Sequence, residues 1–232
     1  MTQGNDTLRY RILYPQNYLP QKKYPLIIFL HGSGESGIDN ENQLVHGGDL
    51  FLKKDVREKF PALILFPQCP PDSSWSYYET EIDTATHNEK LNFPYNDQPA
   101  YPERMLKRLI DSLIETGIAD KERIYLGGLS LGGFGTYDLL IRYPKYFAAA
   151  FPIAGACNLS LMVKKGRHIP IWIFHGTRDD VVDPSFDRTL YMKLKKKNKE
   201  LRYTEYPDAN HNSWDSAFAE PELLPWLFAH HR

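Results

Sequence analysis

Short runs of apolar residues recur along the chain and predict buried β-strands. The runs occupy residues 25–30, 62–66, 124–129, 149–154 and 171–174, and they are rich in branched side chains. A run without polar interruption is typical of a strand covered on both faces, as the strands of a parallel sheet are. Residues 8–14 and 201–206 instead alternate between apolar and polar side chains, which predicts half-buried strands at the edges of the sheet.

An amphipathic helix is predicted between two of these strands, over residues 102–116. Pro102 suits the first turn of a helix, and Gly117 suits its end. The apolar residues of the segment fall on one helical stripe, which comprises Met105, Leu106, Leu109, Ile110, Leu113 and Ile114. Strands that alternate with helices predict an α/β fold, with a mostly parallel central sheet flanked by helices on both faces.

Residues 69–101 lack a regular pattern and contain several prolines and aromatic residues. A segment of this length is predicted to be an ordered insertion, and long loops in compact domains commonly carry function. Trp75, Tyr77 and Tyr78 are candidate substrate contacts, because aromatic rings stack on sugar or phenolic rings and tyrosine hydroxyls form hydrogen bonds. The alternative is that the same rings pin the loop onto the sheet.

Composition and charge exclude several classes of protein. The 232 residues are 42% apolar and 25% charged, a globular composition that predicts one domain over residues 1–232. The 28 basic and 29 acidic side chains nearly cancel, so neither nucleic acid nor a membrane is expected as a partner. The lysine-rich residues 193–199 are accordingly predicted to form a solvated helix face.

The cysteines and the apolar runs bear on the compartment. Cys69 and Cys157 are too few for a disulfide scaffold and too far apart for a zinc site, so reduced thiols are expected. No apolar run reaches the roughly 20 residues that span a bilayer, and the first residues lack the pattern of a signal peptide. A cytoplasmic location is expected; the alternative is a secreted or periplasmic protein whose signal has been removed.

A candidate nucleophile lies in Gly128-Leu-Ser130-Leu-Gly132, which follows the predicted strand 124–129 and precedes an amphipathic segment. A serine between small residues at a strand–turn–helix junction is typical of a nucleophile elbow, because side chains at the flanking positions would clash with the closely crossing backbone. Ser130 is therefore the predicted nucleophile. The alternative is a glycine-rich turn that packs a helix on a sheet or binds phosphate.

A serine hydroxyl needs a base, and the base needs an acid that orients it. His211 is the candidate base, because it lies in a polar loop beyond the last strand and before a final helix. Asp179 is the preferred acid, because it lies just past the carboxyl end of the strand 171–174, and ligands of open α/β sheets bind at these strand ends. Asp180 and Asp183 are nearby alternatives.

The other histidines show no spacing that resembles a metal site, so no metal is expected. Two of them, His31 and His175, close strands and are predicted to make structural hydrogen bonds. The remaining ones are His46, His87, His168, His230 and His231.

Backbone N–H groups suit the oxyanion of a tetrahedral intermediate, because side-chain rotation cannot remove them. The N–H of Leu131 is one candidate donor, since it directly follows the serine at a helix N-terminus. The N–H of Ser33 is the other, in the His-Gly-Ser-Gly loop that follows the strand 25–30. A plain glycine turn is the alternative for this loop.

Together these motifs resemble the α/β-hydrolase superfamily, in its branch of esterases and predicted peptidases related to dienelactone hydrolase, feruloyl esterase and polyhydroxybutyrate depolymerase. The matching segments span nearly the whole chain: residues 25–35, 67–70, 123–133, 142–144, 147–149, 175–179 and 211–214. The resemblance implies a triad of Ser130, His211 and Asp179, the last from a His-Gly-x-x-Asp motif, without a cofactor or a large lid domain. Relatives usually carry proline at positions 180 and 183, so this chain has additional negative charge beside the acid.

The predicted function is that of a serine esterase, which hydrolyses carboxylic esters through an acyl-enzyme. The resemblance implies short-chain or aromatic acyl groups, such as acetyl or feruloyl groups on plant polysaccharides. The expected partner is thus a small-molecule or carbohydrate-linked ester. Trp214, which ends the last matching segment, joins the candidate substrate contacts. A serine peptidase with the same triad and a non-catalytic carbohydrate-binding relative are the alternatives.

Overall fold

The computed structural model describes residues 1–4, 6–82 and 89–232, so that His87 and the middle of the predicted insertion lie outside it. The strands are β1 (Thr2–Gln3), β2 (Asp6–Thr7), β3 (Arg9–Leu13), β4 (Tyr24–Leu30), β5 (Leu63–Gln68), β6 (Glu79–Ile82), β7 (Glu89–Asn92), β8 (Ala119–Leu129), β9 (Ala149–Ile153), β10 (Ile171–Gly176) and β11 (Leu201–Tyr206). The α-helices are α1 (Gly48–Leu52), α2 (Lys54–Lys59), α3 (Tyr101–Glu115), α4 (Leu131–Arg142), α5 (Leu159–Lys165), α6 (Ser185–Leu194), α7 (Trp214–Phe218) and α8 (Leu223–Phe228).

Seven of the described strands form the central sheet, in the order β11, β10, β9, β8, β4, β5, β3. Six of them run parallel, and β3 pairs antiparallel with β5 at one edge. The central pair is β4 and β8, whose last residues lie in register at Leu30 and Gly128. This arrangement confirms the predicted α/β class, the mostly parallel sheet and the two edge strands.

Alternate residues of the buried strands face two separate cores. In β4, Ile28 packs in the same core as Leu109 of α3, whereas Phe29 packs in the opposite core with Trp226 of α8. All seven residues of β4 are buried, as its continuous apolar run predicts. Each large apolar side chain removed from water contributes about 1.5–3 kcal/mol, so both faces stabilise the sheet.

The predicted helix is present in the structure, and the predicted insertion also contains two paired strands. The helix predicted over residues 102–116 is α3, with Pro102 in its first turn, and Gly117 beyond it has a φ of +75°. The insertion includes an antiparallel hairpin, β6 with β7, which has no signature in the apolar pattern.

The lysine-rich segment differs from its prediction. Helix α6 ends at Leu194, and the lysines beyond it lie exposed in a turn instead of on a helix face. In this turn the buried side-chain amide of Asn198 donates to the carbonyl oxygens of Gly166 and Ile169 at 2.8 and 2.7 Å. These two bonds stabilise the turn against residues 166–169.

Helix α4 begins against the end of β4, where there is no space for a side chain at Gly132. A Cβ atom at this position would lie 2.0 Å from the carbonyl oxygen of Leu30. A Cβ atom at Gly128 would lie 2.3 Å from the carbonyl oxygen of Gly132. Real Cβ atoms do not approach backbone so closely, so glycine at both positions is a steric requirement.

Gly132→Ala is therefore expected to destabilise the fold by about 2–4 kcal/mol, because the backbone of β4 or α4 must shift. Gly48→Ala is the matched control, since its Cβ would meet its nearest neighbour at an ordinary 3.7 Å. Urea unfolding of the two variants measures the difference. Equal stability of both would contradict the requirement for glycine at position 132.

Candidate active site

Ser130 lies at the sharp turn between β8 and α4, with a φ of +52° and a ψ of −117°. Residues other than glycine rarely adopt a positive φ, so the surrounding contacts must stabilise this turn. The Ser130 N–H donates to the carbonyl oxygen of Ile153 at 2.9 Å, and the Ser130 carbonyl accepts from the N–H of Phe134 at 3.0 Å. The turn presents the serine side chain at the carboxyl edge of the sheet.

His211 reaches the serine from the loop between β11 and α7. Its Nε2 lies 2.9 Å from the Ser130 Oγ, and its Nδ1 lies 2.8 Å from Oδ2 of Asp179. The loop can approach because Gly176, at the end of β10, has no side chain: a Cβ there would lie 2.3 Å from the carbonyl oxygen of Asn210. The structure thus brings the three predicted triad residues into one hydrogen-bonded line.

Asp179 is oriented by its own loop. Its Oδ1 accepts hydrogen bonds from the N–H groups of Val181 and Val182, both at 2.9 Å. Burial works against ionisation, but hydrogen bonds with His175 and His211 outweigh it and hold the pKa of Asp179 well below its ordinary value. The carboxylate is therefore ionised at neutral pH, which favours a proton on the histidine that faces it.

The two neighbouring carboxylates point elsewhere. Asp180 is exposed, and Asp183 is exposed at the start of α6, where its Oδ1 accepts from the N–H of Ser185 at 2.8 Å. Of the three candidate acids, Asp179 is the one that the fold places against His211.

A buried histidine, His175, lies behind Asp179. The Nε2 of His175 lies 3.2 Å from Oδ2 of Asp179, and its Nδ1 lies 2.8 Å from Oδ2 of Asp187. Asp187, in the first turn of α6, also accepts from the hydroxyl of Tyr137 in α4. Burial alone would lower the pKa of His175, but its hydrogen bonds with the two carboxylates raise it to about 10.

Sequence reasoning assigned only structural hydrogen bonds to His175 and did not single out Asp187 or Tyr137. The one available signal is the spacing of His175 and Asp179, four residues apart across the end of a strand. The contact of Asp187 with Tyr137 joins residues 50 positions apart, and no local pattern announces it.

The loop that carries Ser33 passes directly beside Ser130. A Cβ atom at Gly32 would lie 3.6 Å from the Cβ of Ser130. The N–H of Gly32 donates to the carboxylate of Glu35 at 2.9 Å, which stabilises the loop. Neither the N–H of Ser33 nor that of Leu131 donates to another described residue, so both stay candidate donors to an oxyanion.

Trp75 does not have the predicted role. Its side chain is 0% exposed, so it cannot stack on a substrate that arrives from solvent. The indole Nε1 donates to the carbonyl oxygen of His31 at 3.1 Å, and the N–H of Cys69 donates to the Nε2 of His31 at 2.9 Å. The first residues of the insertion therefore hold the loop that carries Ser33 in place. Trp75 thus has a structural role, which was the alternative to substrate contact.

Tyr77, Tyr78 and Trp214 keep exposed surface. Tyr77 and Tyr78 are each 40% exposed, and the ring of Tyr78 lies 5.6 Å from that of Phe134, one turn of α4 beyond the serine. Trp214 is half-buried, and its ring lies 5.3 Å from the ring of His211. Substrate contact by these three residues stays a prediction.

Within the described residues, no group of three or more His, Cys, Asp and Glu side chains is arranged to hold a metal ion. In the same part of the chain, no helix is both long and apolar enough to cross a membrane. Cys69 and Cys157 are free thiols.

Comparison with known proteins identifies the class. The sequence matches the phospholipase/carboxylesterase family over residues 95–221, more than half of the chain. Lysophospholipase-like protein 1 of Mus musculus is 27% identical over 198 residues, which cover 80% of this chain and 79% of that protein. Acyl-protein thioesterase 1 of Cryptococcus neoformans is 27% identical over 226 residues, covering 87% of this chain and 90% of the relative.

A solved structure shares both fold and sequence. A thermostable esterase superposes with a TM-score of 0.83 and 35% identity over 97% of this chain. The chain spans 60% of the length of that esterase. The chain belongs to the phospholipase/carboxylesterase family, has the α/β-hydrolase fold that the sequence predicts, and is by this class a serine esterase.

Trp75→Phe keeps a buried ring but leaves the His31 carbonyl without its donor, which is expected to cost about 1–3 kcal/mol of stability. Because His31 belongs to the loop that carries Ser33, kcat is expected to fall on small and bulky esters alike. The matched control is Trp172→Phe, which loses a 2.9 Å bond to Thr204 away from the site and should lower stability without lowering kcat. Thermal unfolding and kinetics on p-nitrophenyl acetate and methyl ferulate measure both effects.

Proposed function

We propose that the chain hydrolyses carboxylic esters through an acyl-enzyme formed on Ser130. The observation that carries this proposal is the line of short contacts from the Ser130 Oγ through His211 to Asp179, at 2.9 and 2.8 Å. A nucleophile, a base and an orienting acid at hydrogen-bond distance are the components that acyl transfer requires.

In the first step the neutral His211 Nε2 takes the hydroxyl proton while the Ser130 Oγ attacks the ester carbonyl carbon. Asp179 accepts from the Nδ1–H and stabilises the imidazolium that forms. The N–H groups of Ser33 and Leu131 donate to the oxyanion, and the positive end of the α4 dipole adds to this stabilisation.

Collapse of the tetrahedral intermediate expels the alcohol, which takes its proton from His211. A water molecule then attacks the acyl-enzyme with the same base and the same oxyanion donors. The acid leaves, and Ser130 regains its proton.

The exposed tyrosines support an ester with an aromatic or carbohydrate-linked group as the substrate. Tyr77, Tyr78 and Tyr95 are 40%, 40% and 49% exposed, and they line one open cleft of the insertion. Rings at a surface offer stacking faces for a sugar or a phenol, and their hydroxyls offer hydrogen bonds.

A thioesterase is the second candidate, because aliphatic side chains also flank the site. Val181, two residues after Asp179, is 63% exposed. Val45 is 65% exposed and precedes His46, whose ring lies 5.1 Å from that of Trp214. Exposed aliphatic side chains in these two segments suit a longer acyl chain, as does the likeness to acyl-protein thioesterase 1.

Ser130→Ala is expected to lower kcat/KM on the best ester by about 10⁴-fold or more, because triad residues act as a unit. Its melting temperature should match that of the wild type. A fluorophosphonate, which reacts with activated serines, should label the wild type and not the variant.

Asp179→Asn should lower kcat/KM by orders of magnitude, whereas Asp183→Asn and Asp180→Asn, both exposed, should stay within about twofold. Equal losses at positions 179 and 183 would remove Asp179 from the mechanism.

Tyr77→Ala and Tyr78→Ala are expected to raise KM for methyl ferulate by about tenfold, the loss of about 1.4 kcal/mol of contact, with p-nitrophenyl acetate unaffected. Tyr14→Ala is the matched control, because Tyr14 is 39% exposed and lies beyond β3. A substrate panel with acetylated xylan, an octanoyl thioester and a peptide anilide completes the test. Preference for the thioester, with no effect of the tyrosine variants, would favour the second candidate.

A further inference from the structure

The hydrogen bonds that begin at Ser130 continue behind Asp179 into the buried interior. His175 is 0% exposed, and its Nε2 faces two acceptors: the Oδ2 of Asp179 at 3.2 Å and the carbonyl oxygen of Val182 at 3.0 Å. A ring nitrogen between two acceptors must carry a hydrogen, so Nε2 is protonated.

The other ring nitrogen meets a carboxylate whose second oxygen is also occupied. The Nδ1 of His175 lies 2.8 Å from Oδ2 of Asp187, and Oδ1 of Asp187 accepts from the hydroxyl of Tyr137. Asp187 is 1% exposed. An imidazolium is a weaker acid than a carboxylic acid, so the proton shared across this 2.8 Å contact resides on the Nδ1 of His175.

Charge balance supports the same assignment. A buried carboxylate without a cation is costly, and His175 is the positive group within hydrogen-bond distance of Asp187. The other titratable groups around the pair are Tyr137 on α4, Cys157 beyond β9 and Tyr203 on β11. Burial raises the pKa of each of these groups above its ordinary value, so all three are neutral.

Asp179 gains a fixed orientation from this pair. Its Oδ2 lies 2.8 Å from the Nδ1 of His211 and 3.2 Å from the Nε2 of His175. Its Oδ1 holds the two N–H groups of Val181 and Val182. The carboxylate therefore has a donor on every side, and one of these donors carries a full positive charge.

We propose that His175 is a positioning residue for ester hydrolysis: it stands as an imidazolium between Asp187 and Asp179, and it holds the Asp179 carboxylate ionised and directed at His211. This role rests on the proposed function of the triad. His175 acts through Asp179 and does not touch the reacting atoms. Tyr137 and Asp187 in turn hold the ring of His175.

Asp187→Asn is the main test, because the amide keeps the size of the side chain, retains one of its two acceptor atoms and removes its charge. Asp187→Asn removes one of the two carboxylates that favour a proton on His175, so His175 becomes neutral more readily and Asp179 then loses the adjacent positive charge. We expect kcat to fall by about tenfold, with KM unchanged. The acid limb of the pH profile of kcat/KM should move about one unit to higher pH, because a neutral His175 no longer opposes a second positive charge across Asp179.

His175→Gln should shift the profile in the same direction and lower kcat further, whereas Tyr137→Phe should produce a smaller shift. Asp183→Asn is the matched control, since it removes an exposed carboxylate from the same segment and should leave the profile unchanged. A purely structural role would lower the melting temperature of the Asp187 variant and leave its pH profile in place, which would overturn the proposal.

A measurement on the wild type covers the case in which the variants fail to fold. ¹⁵N NMR of the histidine side chains at pH 8 should show one buried imidazole with hydrogens on both nitrogens. A neutral His175 ring at that pH would refute the imidazolium. Hydrolysis that survives Ser130→Ala would instead defeat the proposed function. Hydrolysis that needs Ser130 but is unaltered in rate and profile by Asp187→Asn would defeat the positioning role alone.

Discussion

The arrangement of the site depends on how closely the first turn of α4 approaches the carboxyl end of β4. With glycine at position 132, the helix backbone occupies the space beside the Leu30 carbonyl, where any side chain would collide. The chain enters this contact through Ser130, whose φ is +52°. The contact also sets the N-terminus of α4 next to the loop that follows β4, so one steric constraint brings Ser130 close to the N–H groups proposed as oxyanion donors.

Behind Ser130, buried carboxylates and histidine rings alternate along a single chain of contacts. From Tyr137 the hydrogen bonds run through Asp187, His175 and Asp179 to His211. Each buried ion would cost several kcal/mol without a partner, and in this line every carboxylate has a histidine beside it. The histidine at the open end of this line, His211, lies 2.9 Å from the Ser130 Oγ.

The insertion performs two tasks in different parts of its length. Its beginning is structural, since Cys69 and Trp75 both donate to His31 and thereby hold the loop that carries Ser33. Its next residues, Tyr77 and Tyr78, turn their rings partly to solvent. A buried anchor directly before exposed rings is a rigid way to present them, because the anchor removes the freedom that a long loop otherwise has.

The sequence by itself determined most of the central sheet, helix α3 and the chemistry that is local in the chain, but not the β6–β7 pair or the turn after α6. Strands and helices have different periods, so the spacing of apolar residues predicted the sheet and α3. The glycines around Ser130 predicted the tight turn, because the lack of space for side chains there is a local constraint. The tertiary structure decided which of three aspartates faces His211, since neighbours in sequence point in different directions once the loop folds. It also decided that Trp75 is an anchor and that His175 is joined to Asp187. These contacts link residues 44 positions apart for Trp75 with His31 and 12 for His175 with Asp187, and they arise from packing between elements whose spacing no single segment encodes.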